Sequence, residues 1–297
     1  MRLGGAGCGE AGAVMSGRLP SWLRPAAPKA RQLATLGRRL AELGVHTVCQ
    51  SARCPNLGEC FASGNATFMI MGNTCTRNCG FCAVDHGAVL PLDPEEPRRI
   101  AEAAQSLELR YVVITSVTRD DLPDGGASHF AATVRVVRQL SPGAGVEILV
   151  PDFQGDVEAL RVALEPKPTV FGHNIETAPR LYPRVRPQAD FARSLEVLRR
   201  AGEIAPEVTT KSGLMVGLGE TEEEVREALG ELRRAGVSAV TIGQYLQPTR
   251  EHLPIIEYVL PEVFGRYEIA AREMGFRHVM SGPLVRSSYH AVELVQP

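Results

Sequence analysis

Aromatic side chains are scarce in this chain, at 5% of its 297 residues with a single tryptophan. Proteins that bind single-stranded nucleic acid stack bases on such side chains, and the composition gives no sign of such a surface. An excess of one charge is also lacking, because the formal net charge is −2, which argues against a generic nucleic-acid binder. No apolar run reaches the roughly 18 residues that a membrane-spanning helix needs. The composition therefore predicts a protein with a sizeable core (44% hydrophobic residues) and with neither a membrane nor a nucleic acid as partner.

Cysteines are almost absent outside one segment. Six of the seven lie between Cys49 and Cys82, and the seventh is Cys8, which we interpret as an exposed thiol without a ligand role. Disulfide frameworks are typical of short secreted chains, so this clustering favours metal ligation in a reducing compartment. The expected location is the cytoplasm, or the mitochondrion in a eukaryote.

The first residues carry no periodic pattern. Met1–Val14 is rich in Gly and Ala and is predicted to be disordered, or to be an extension ahead of a start at Met15. A secretory signal is not expected, since an apolar segment is missing and Glu10 interrupts the stretch.

From Thr67 onward, short apolar runs alternate with amphipathic segments. This rhythm predicts a parallel sheet with crossover helices. The predicted strands are 67–71, 111–115, 146–150, 169–172, 211–216 and 239–242, with a candidate seventh at 276–280. The predicted helices are 95–108, 127–140, 155–164, 190–202, 221–235 and 261–274. Since eight strands would close a barrel, the predicted fold class is α/β, an open, partial (β/α)6 TIM-like barrel.

Working residues of such barrels gather where strands end. Cys75, Cys79 and Cys82 follow the first predicted strand, with three and then two residues between them. Zinc sites commonly pair one CxxC with another or with histidines, and this spacing differs, although His86 as a fourth ligand keeps a zinc site open as the alternative. Three thiolates can also hold a four-iron cluster and leave one iron without a cysteine.

CxxxCxxC after the first strand of a partial barrel resembles the radical S-adenosylmethionine (SAM) superfamily. The resemblance implies a 4Fe–4S cluster on Cys75, Cys79 and Cys82, whose open iron binds SAM and cleaves it to a 5′-deoxyadenosyl radical. It also implies SAM contacts at the strand ends. The predicted SAM-binding residues are Phe81, Thr115, Ser116, Asn174, Glu176, Arg186 and Met215.

Each of these SAM contacts has a plainer alternative. Phe81 lies near the adenine by resemblance, or it is a loop hydrophobe that shields the cluster. Polar residues at strand ends also serve as helix caps. Arg184 and Arg186 hold the SAM carboxylate, meet an acidic carrier domain, or are solvated loop residues.

The first cysteine triplet, Cys49, Cys54 and Cys60, departs from common zinc and ferredoxin spacings. It reads Cys-Gln-Ser-Ala-Arg-Cys-Pro-Asn-Leu-Gly-Glu-Cys. Three further motifs accompany this triplet, and they are Cys-Thr-Arg-Asn-Cys-Gly-Phe-Cys, the segment His173–Thr177 and the Arg-Ser-Ser-Tyr of Gly282–Tyr289. On these motifs the chain resembles the lipoyl synthase family across about residues 20 to 291. Phe61 stands where that family often has tryptophan, and the C-terminus is short.

That resemblance implies a second, auxiliary 4Fe–4S cluster on Cys49, Cys54, Cys60 and Ser288, which are thereby candidate catalytic residues; on chemistry alone Ser287 stays open as the serine. It implies insertion of two sulfur atoms into a protein-bound octanoyl-lysine, with the auxiliary cluster consumed as sulfur donor. The implied partners are octanoylated lipoyl carrier domains (2-oxoacid dehydrogenase E2 subunits and the glycine cleavage H protein), a ferredoxin- or flavodoxin-type electron donor and iron–sulfur assembly factors, and the implied state is a monomer.

Four segments are expected from these patterns. They are a disordered or extended N-terminus (1–19), an extension with the auxiliary-cluster motif (20–66), the partial barrel (67–275) and a C-terminal segment that supplies the serine (276–297). The alternatives are another sulfur-inserting radical SAM enzyme, such as a biotin synthase or a methylthiotransferase-like protein, and a non-enzymatic zinc or electron-transfer protein.

Overall fold

The computed structural model describes residues 19–24, 37–38, 40–48, 56–62, 64–289 and 291. The predictions made for Met1–Val14, Cys8, Cys49 and Cys54 lie outside the described residues.

One mostly parallel sheet organises the described chain. Its strands, together with a small pair on the loop after the second, are β1 (His46–Thr47), β2 (Asn65–Ile70), β3 (Thr74–Cys75), β4 (Asp85–His86), β5 (Tyr111–Ser116), β6 (Gly145–Leu149), β7 (Val170–Gly172), β8 (Thr209–Val216), β9 (Ala239–Gln244) and β10 (His278–Gly282). The main sheet has eight strands in the order β1-β2-β5-β6-β7-β8-β9-β10. β1 pairs with β2 antiparallel, and every other pair is parallel.

Helices follow the parallel strands in turn. They are α1 (Leu57–Ala62), α2 (Glu96–Ser106), α3 (Ala127–Leu140), α4 (Val157–Leu164), α5 (Tyr182–Val185), α6 (Phe191–Ile204), α7 (Glu222–Arg234) and α8 (Pro261–Glu273), with short 3-10 turns at Ser21–Leu23, Phe153–Gly155 and Pro179–Leu181. Several begin at side-chain caps: Asp156 and Asp190 accept from the first turn of α4 and α6, and Thr221 with Glu224 forms a reciprocal capping box on α7. None of the helices that the described residues form is long and apolar enough to cross a bilayer.

The two faces of the sheet carry different residues because side chains alternate along a strand. Phe68, Ile114, Ile148 and Phe171 point outward and form the main core with the crossover helices. The second core cluster lies between β8, β9, α7 and α8. The outer face therefore supplies most of the apolar burial and leaves the inner face for polar groups.

A buried ion pair lies on the inner face. Lys211 Nζ is 2.9 and 3.1 Å from the two carboxylate oxygens of Glu147, and Tyr111 Oη donates to the same carboxylate at 3.1 Å. The Lys211 and Glu147 side chains are 3% and 1% exposed. These three residues fill the lower part of the barrel, below the strand ends.

The predicted fold class is confirmed, with two differences. The candidate seventh strand forms as β10 and pairs with β9 along its full length, so seven parallel strands replace the predicted six, and the sheet extends past the predicted domain boundary at residue 275. Some short elements, of two to six residues, carry too little alternation or periodicity to read and were not predicted; they are β1, β3, β4, α1 and α5. The observed helices and strands otherwise match the predicted ones to within two residues at most ends.

The segment after β10, residues 283–289, is called the C-terminal strap here. Val285 O lies so close to β9 that a Cβ on Gly243 would be 2.1 Å from it, and Leu284 O accepts from Asn56 Nδ2 at 2.7 Å. β1 and β10 are the two edges of the described sheet. The strap thus runs from the β10 edge back toward the β2 side of the barrel.

Candidate active site

The cysteine loop (residues 75–82) follows β2 at the edge where the parallel strands end. Cys75 Sγ accepts from the backbone N–H of Arg77 at 3.4 Å and of Thr118 at 3.3 Å, and a turn joins Cys82 N to Cys79 O at 3.1 Å. The prediction that this triplet follows the first long strand directly is confirmed.

Two neighbouring segments hold the cysteine loop in place. Gly80 N donates to Val185 O, Leu253 N donates to Gly80 O, and both distances are 3.0 Å. His252 Nε2 bonds Cys82 O at 2.9 Å. A Cβ on Gly80 would lie 2.9 Å from Leu253 Cγ and 3.2 Å from Arg184 O, so this close approach requires glycine.

A buried arginine anchors the loop from below. Arg77 donates to both oxygens of Asp120 at 2.6 and 2.8 Å and to Asp152 at 2.7 Å. Arg193 donates to the other oxygen of Asp152 at 2.8 Å. Burial alone would raise the pKa of Asp152, but the hydrogen bond and charge of Arg77 hold that pKa far below its usual range. Asp152 is therefore ionised, and the Arg77 guanidinium is fixed between strand ends.

The thiols of the loop are desolvated. Burial raises the pKa of Cys82 to about 11, and burial also raises the pKa of Cys79. A cysteine nucleophile has a lowered pKa, so these thiols are not suited to that role. Metal ligation releases the protons of such thiols, and loading this site would do so.

Arg186 lies beside the loop with a hydrogen-bonding group to spare. Its Nη1 donates to the carbonyls of Asn174 at 2.9 Å and Ile175 at 3.3 Å, and its guanidinium stacks 5.5 Å from the centre of the Tyr182 ring. Burial alone would lower the pKa of Arg186, but Tyr182, Glu176 and Cys79 raise it. The buried Arg186 Nε has no partner among the described residues.

Asn174 and Glu176 follow β7 and face the same place. Glu176 bridges to β8, where Glu176 N donates to Gly213 O at 3.0 Å and Met215 N donates to Glu176 O at 2.8 Å. Desolvation raises the pKa of Glu176, and the charge of Arg186 partly offsets it. A Cβ on Gly213 would lie 2.9 Å from Asn174 Oδ1, so glycine makes room for that amide.

Thr115 and Ser116, two of the predicted SAM-binding residues, are neighbours on β5 and point to opposite faces of the sheet. Thr115 lies on the inner face, but its hydroxyl donates to Leu149 O at 2.8 Å within the sheet. Strand alternation places Ser116 on the opposite face, where its buried Oγ has no partner in the described chain. Of the two hydroxyls, that of Thr115 therefore faces the interior of the barrel.

Phe81 and Met215, two of the predicted SAM-binding residues, pack on the same apolar cluster. That small cluster contains Leu181, Val185 and Tyr245. This cluster forms an apolar wall beside Cys79 and Cys82.

Two hydrogen bonds hold the distant serine segment, one to the residue before Cys60 and one to β2. Cys60 is buried on α1, and Glu59 Oε1, on the residue before it, accepts from Tyr289 Oη at 3.1 Å. Thr67 Oγ1, on β2, donates to Ser288 Oγ at 2.8 Å. The chain thus brings Cys60 and Ser288 to one region, while Cys49 and Cys54 lie outside the described residues.

The residues present fit both of the groups expected from the sequence, SAM and an auxiliary iron–sulfur cluster. A buried guanidinium nitrogen without a described partner, next to Cys79 and Glu176, fits a ligand carrying a carboxylate and an amino group such as SAM. A buried thiol on α1, and a serine oxygen on the strap that Glu59 of that helix binds through Tyr289, fit an iron site with mixed sulfur and oxygen donors. Among the described residues no three His, Cys, Asp or Glu side chains converge on a single-ion site, and His86 is exposed.

The functional residues missed from the sequence are Arg77, Asp152 and Thr67. Arg77 gave a usable signal, because a charge between two ligand cysteines needs a partner. Asp152 follows a strand, as catalytic residues do in barrels. Thr67 gave none, since its partner Ser288 is 221 positions away.

Comparisons with known proteins agree with this geometry. Residues 69–243 match the Radical SAM superfamily. The lipoyl synthase of Caldanaerobacter subterraneus subsp. tengcongensis is 58% identical over 277 residues, which cover 93% of this chain and 97% of that protein. The lipoyl synthase of Rubrobacter xylanophilus is 56% identical over 274 residues, covering 92% of this chain and 85% of that protein.

Among solved structures, methylornithine synthase has a TM-score of 0.54 at 14% identity, covering 88% of this chain and 87% of that one. This likeness shows the fold alone. The family follows from the sequence relatives together with the superfamily match. The chain belongs to the lipoyl synthase family of radical SAM enzymes.

Proposed function

We propose that this protein inserts two sulfur atoms into an octanoyl chain carried on a protein lysine, and that a second cluster, held by Cys49, Cys54, Cys60 and Ser288, is the sulfur-donating substrate. The observation that carries the proposal is the pairing of Glu59 with Tyr289 and of Thr67 with Ser288, since it puts a serine from the C-terminal strap beside the Cys60 helix. Serine oxygen is a hard ligand on an iron that prefers sulfur, so the bond it makes is replaceable.

The first cluster would be held by Cys75, Cys79 and Cys82. When bound, that cluster and SAM supply a radical able to take hydrogen from an unactivated methylene. We assign Arg186 Nε, which has no described partner, to the carboxylate of SAM. We assign Asn174 and Glu176 to its hydroxyl and amino groups. Thr115 lines the inner face without donating to the ligand, because its hydroxyl already donates to the Leu149 carbonyl.

Water must be kept from the reacting atoms. Phe81 and Met215 pack with Leu181 and Val185 into an apolar wall at the cysteine loop. Leu253, which joins that wall, is itself held by its backbone bond to Gly80. The same bonds that position the thiols therefore close the apolar side of the pocket.

Arg184 and Arg186 are proposed to have different partners. Arg186 is 9% exposed and faces the site, whereas Arg184 is exposed at the rim and forms no ion pair within the described chain. We assign Arg184 to the docking of an acidic, octanoylated carrier domain of the E2 or H-protein type. A ferredoxin- or flavodoxin-type donor and iron–sulfur assembly factors complete the proposed partners, for a monomer in a reducing compartment.

The test is an anaerobic assay of the reconstituted protein with SAM, reductant and an octanoylated carrier peptide. The expected products are deoxyadenosine and a peptide that has gained two sulfurs, both measured by mass spectrometry, with about eight irons per chain at the start. Cys60→Ala should keep SAM cleavage and lose sulfur insertion, whereas the matched variant Cys79→Ala should lose both. Lipoyl product from Cys60→Ala would show that the auxiliary cluster is not the donor.

A further inference from the structure

We propose that Thr67 is a positioning residue for Ser288, whose oxygen it holds at the auxiliary site. This inference rests on the proposed role of Ser288 as a cluster ligand. Thr67 Oγ1 donates to Ser288 Oγ at 2.8 Å, and Thr67 is 6% exposed.

Thr67 occupies the inner face near the middle of β2. It is the register partner of Val113 on β5, and paired residues on adjacent strands share a face. Val113 packs with Tyr111 and with Ala291, which lies two residues beyond the C-terminal strap. Ser288 and Ala291 therefore lie along the inner face of β2 and β5, and Ser288 meets Thr67 there.

The other strap contacts described above act through groups other than the serine side chain. Leu284 and Val285 are placed through their backbone carbonyls, against Asn56 and Gly243, and Tyr289 is held through its own hydroxyl. These fix the path of the strap. A serine on that path still has three staggered χ1 positions, and the bond from Thr67 selects one of them.

The bond also leaves Ser288 able to bind a metal. A hydroxyl oxygen has two acceptor lone pairs, and Thr67 uses one of them. Threonine is stiffer than serine about χ1 because it is β-branched, so it is the better anchor on a strand. An oxygen held in this way stays at the site even when its bond to iron is broken.

The test compares Thr67→Val, which keeps the shape and removes the hydroxyl, with Thr67→Ser, which keeps the hydroxyl. Both are made in the full chain and in a Cys75→Ala, Cys79→Ala, Cys82→Ala background, where only the auxiliary cluster contributes to the spectrum. The readouts are iron per chain and the Mössbauer and electron paramagnetic resonance signatures of that cluster, with circular dichroism to check folding. Ser288→Ala in the same background is the reference for a lost serine ligand.

Thr67→Val is expected to move the spectrum toward that of Ser288→Ala and to lower retention of the auxiliary cluster about fivefold, the factor that one hydrogen bond is worth. Thr67→Ser should restore most of the parent signature, which a purely structural contact would not require. A parent-like Thr67→Val spectrum, with Ser288→Ala altered, would overturn the inference alone. An unaltered Ser288→Ala spectrum would overturn both the proposed ligand and the inference.

Discussion

Replacing Arg77 tests how the cysteine loop is held. The Arg77 side chain is 6% exposed, and the Asp152 carboxylate that it contacts is 0% exposed. Removing one partner of a buried pair costs about 3–5 kcal/mol, because a charge is left uncompensated. In Arg77→Gln, Asp152 keeps its ion pair with Arg193. We therefore expect the loss in free energy of unfolding to lie at the low end of that range, about 3 kcal/mol. For a chain of this length that corresponds to a drop of roughly 5 °C in Tm.

The assay separates lost stability from lost positioning. Thermal unfolding gives the first, and iron per chain with the spectrum of the reduced cluster in the presence of SAM gives the second. Arg77→Gln should lower Tm and drop the iron from about eight toward about four per chain, because the loop is freed from Asp120 and Asp152. The matched control is Lys211→Met, which breaks a second buried ion pair, the one with Glu147. The two side chains of that pair are 3% and 1% exposed. Lys211→Met should lower Tm by a similar amount and keep all the iron.

A double variant checks the cause. Asp152→Asn added to Arg77→Gln removes the uncompensated charge, so about 1–2 kcal/mol should be recovered relative to the sum of the two single changes. Equal iron loss in Arg77→Gln and Lys211→Met, or strict additivity in the double variant, would refute the reasoning that this ion pair anchors the cluster loop.

Two further outcomes are expected. Gly80→Ala should lower the free energy of unfolding by about 1–3 kcal/mol through overpacking and should slow cluster reconstitution, since its Cβ would lie 2.9 Å from Leu253 Cγ. The control Gly143→Ala, whose Cβ meets nothing within 4 Å, should have neither effect. Comparable unfolding midpoints for the two variants would contradict the assigned clash. Burial, aided by the charge of Arg186, lowers the pKa of His173 to about 4. Between about pH 6.5 and pH 4 the imidazole is therefore protonated in the unfolded chain and neutral in the folded one. The free energy of unfolding should fall by about 3 kcal/mol as the pH drops through that range. His173→Gln should flatten that part of a urea-midpoint profile against pH, and an unchanged slope would show that another group causes it.

Much of the fold could be predicted from local patterns. The apolar runs at 111–115 and 239–242 are rich in β-branched residues and are flanked by turn residues, and they form strands. The acidic turn after Thr221 begins a helix, and Thr221 itself caps it. Such signals act within a few residues, so tertiary contacts rarely override them. The cysteine loop was placed for the same reason, because it follows a long strand directly.

The rest depended on contacts between distant segments. The partners of Arg77 lie 43 and 75 positions away, and no local pattern selects Asp120 and Asp152 among the acidic residues of the chain. Thr67 and Ser288 are 221 positions apart, and nothing in the sequence around either residue indicates the other as its partner.

The strap also bears on how the chain reaches its final form. Three of its hydrogen bonds join residues 228, 221 and 230 positions apart, and closing such long loops is entropically unfavourable until the rest of the structure is in place. Residues 283–289 are also the last part of the described chain, with 291, to leave the ribosome. We therefore expect the strap to dock against β2 late in folding, and until it does so the inner face around Thr67 and Tyr111 is uncovered on that side.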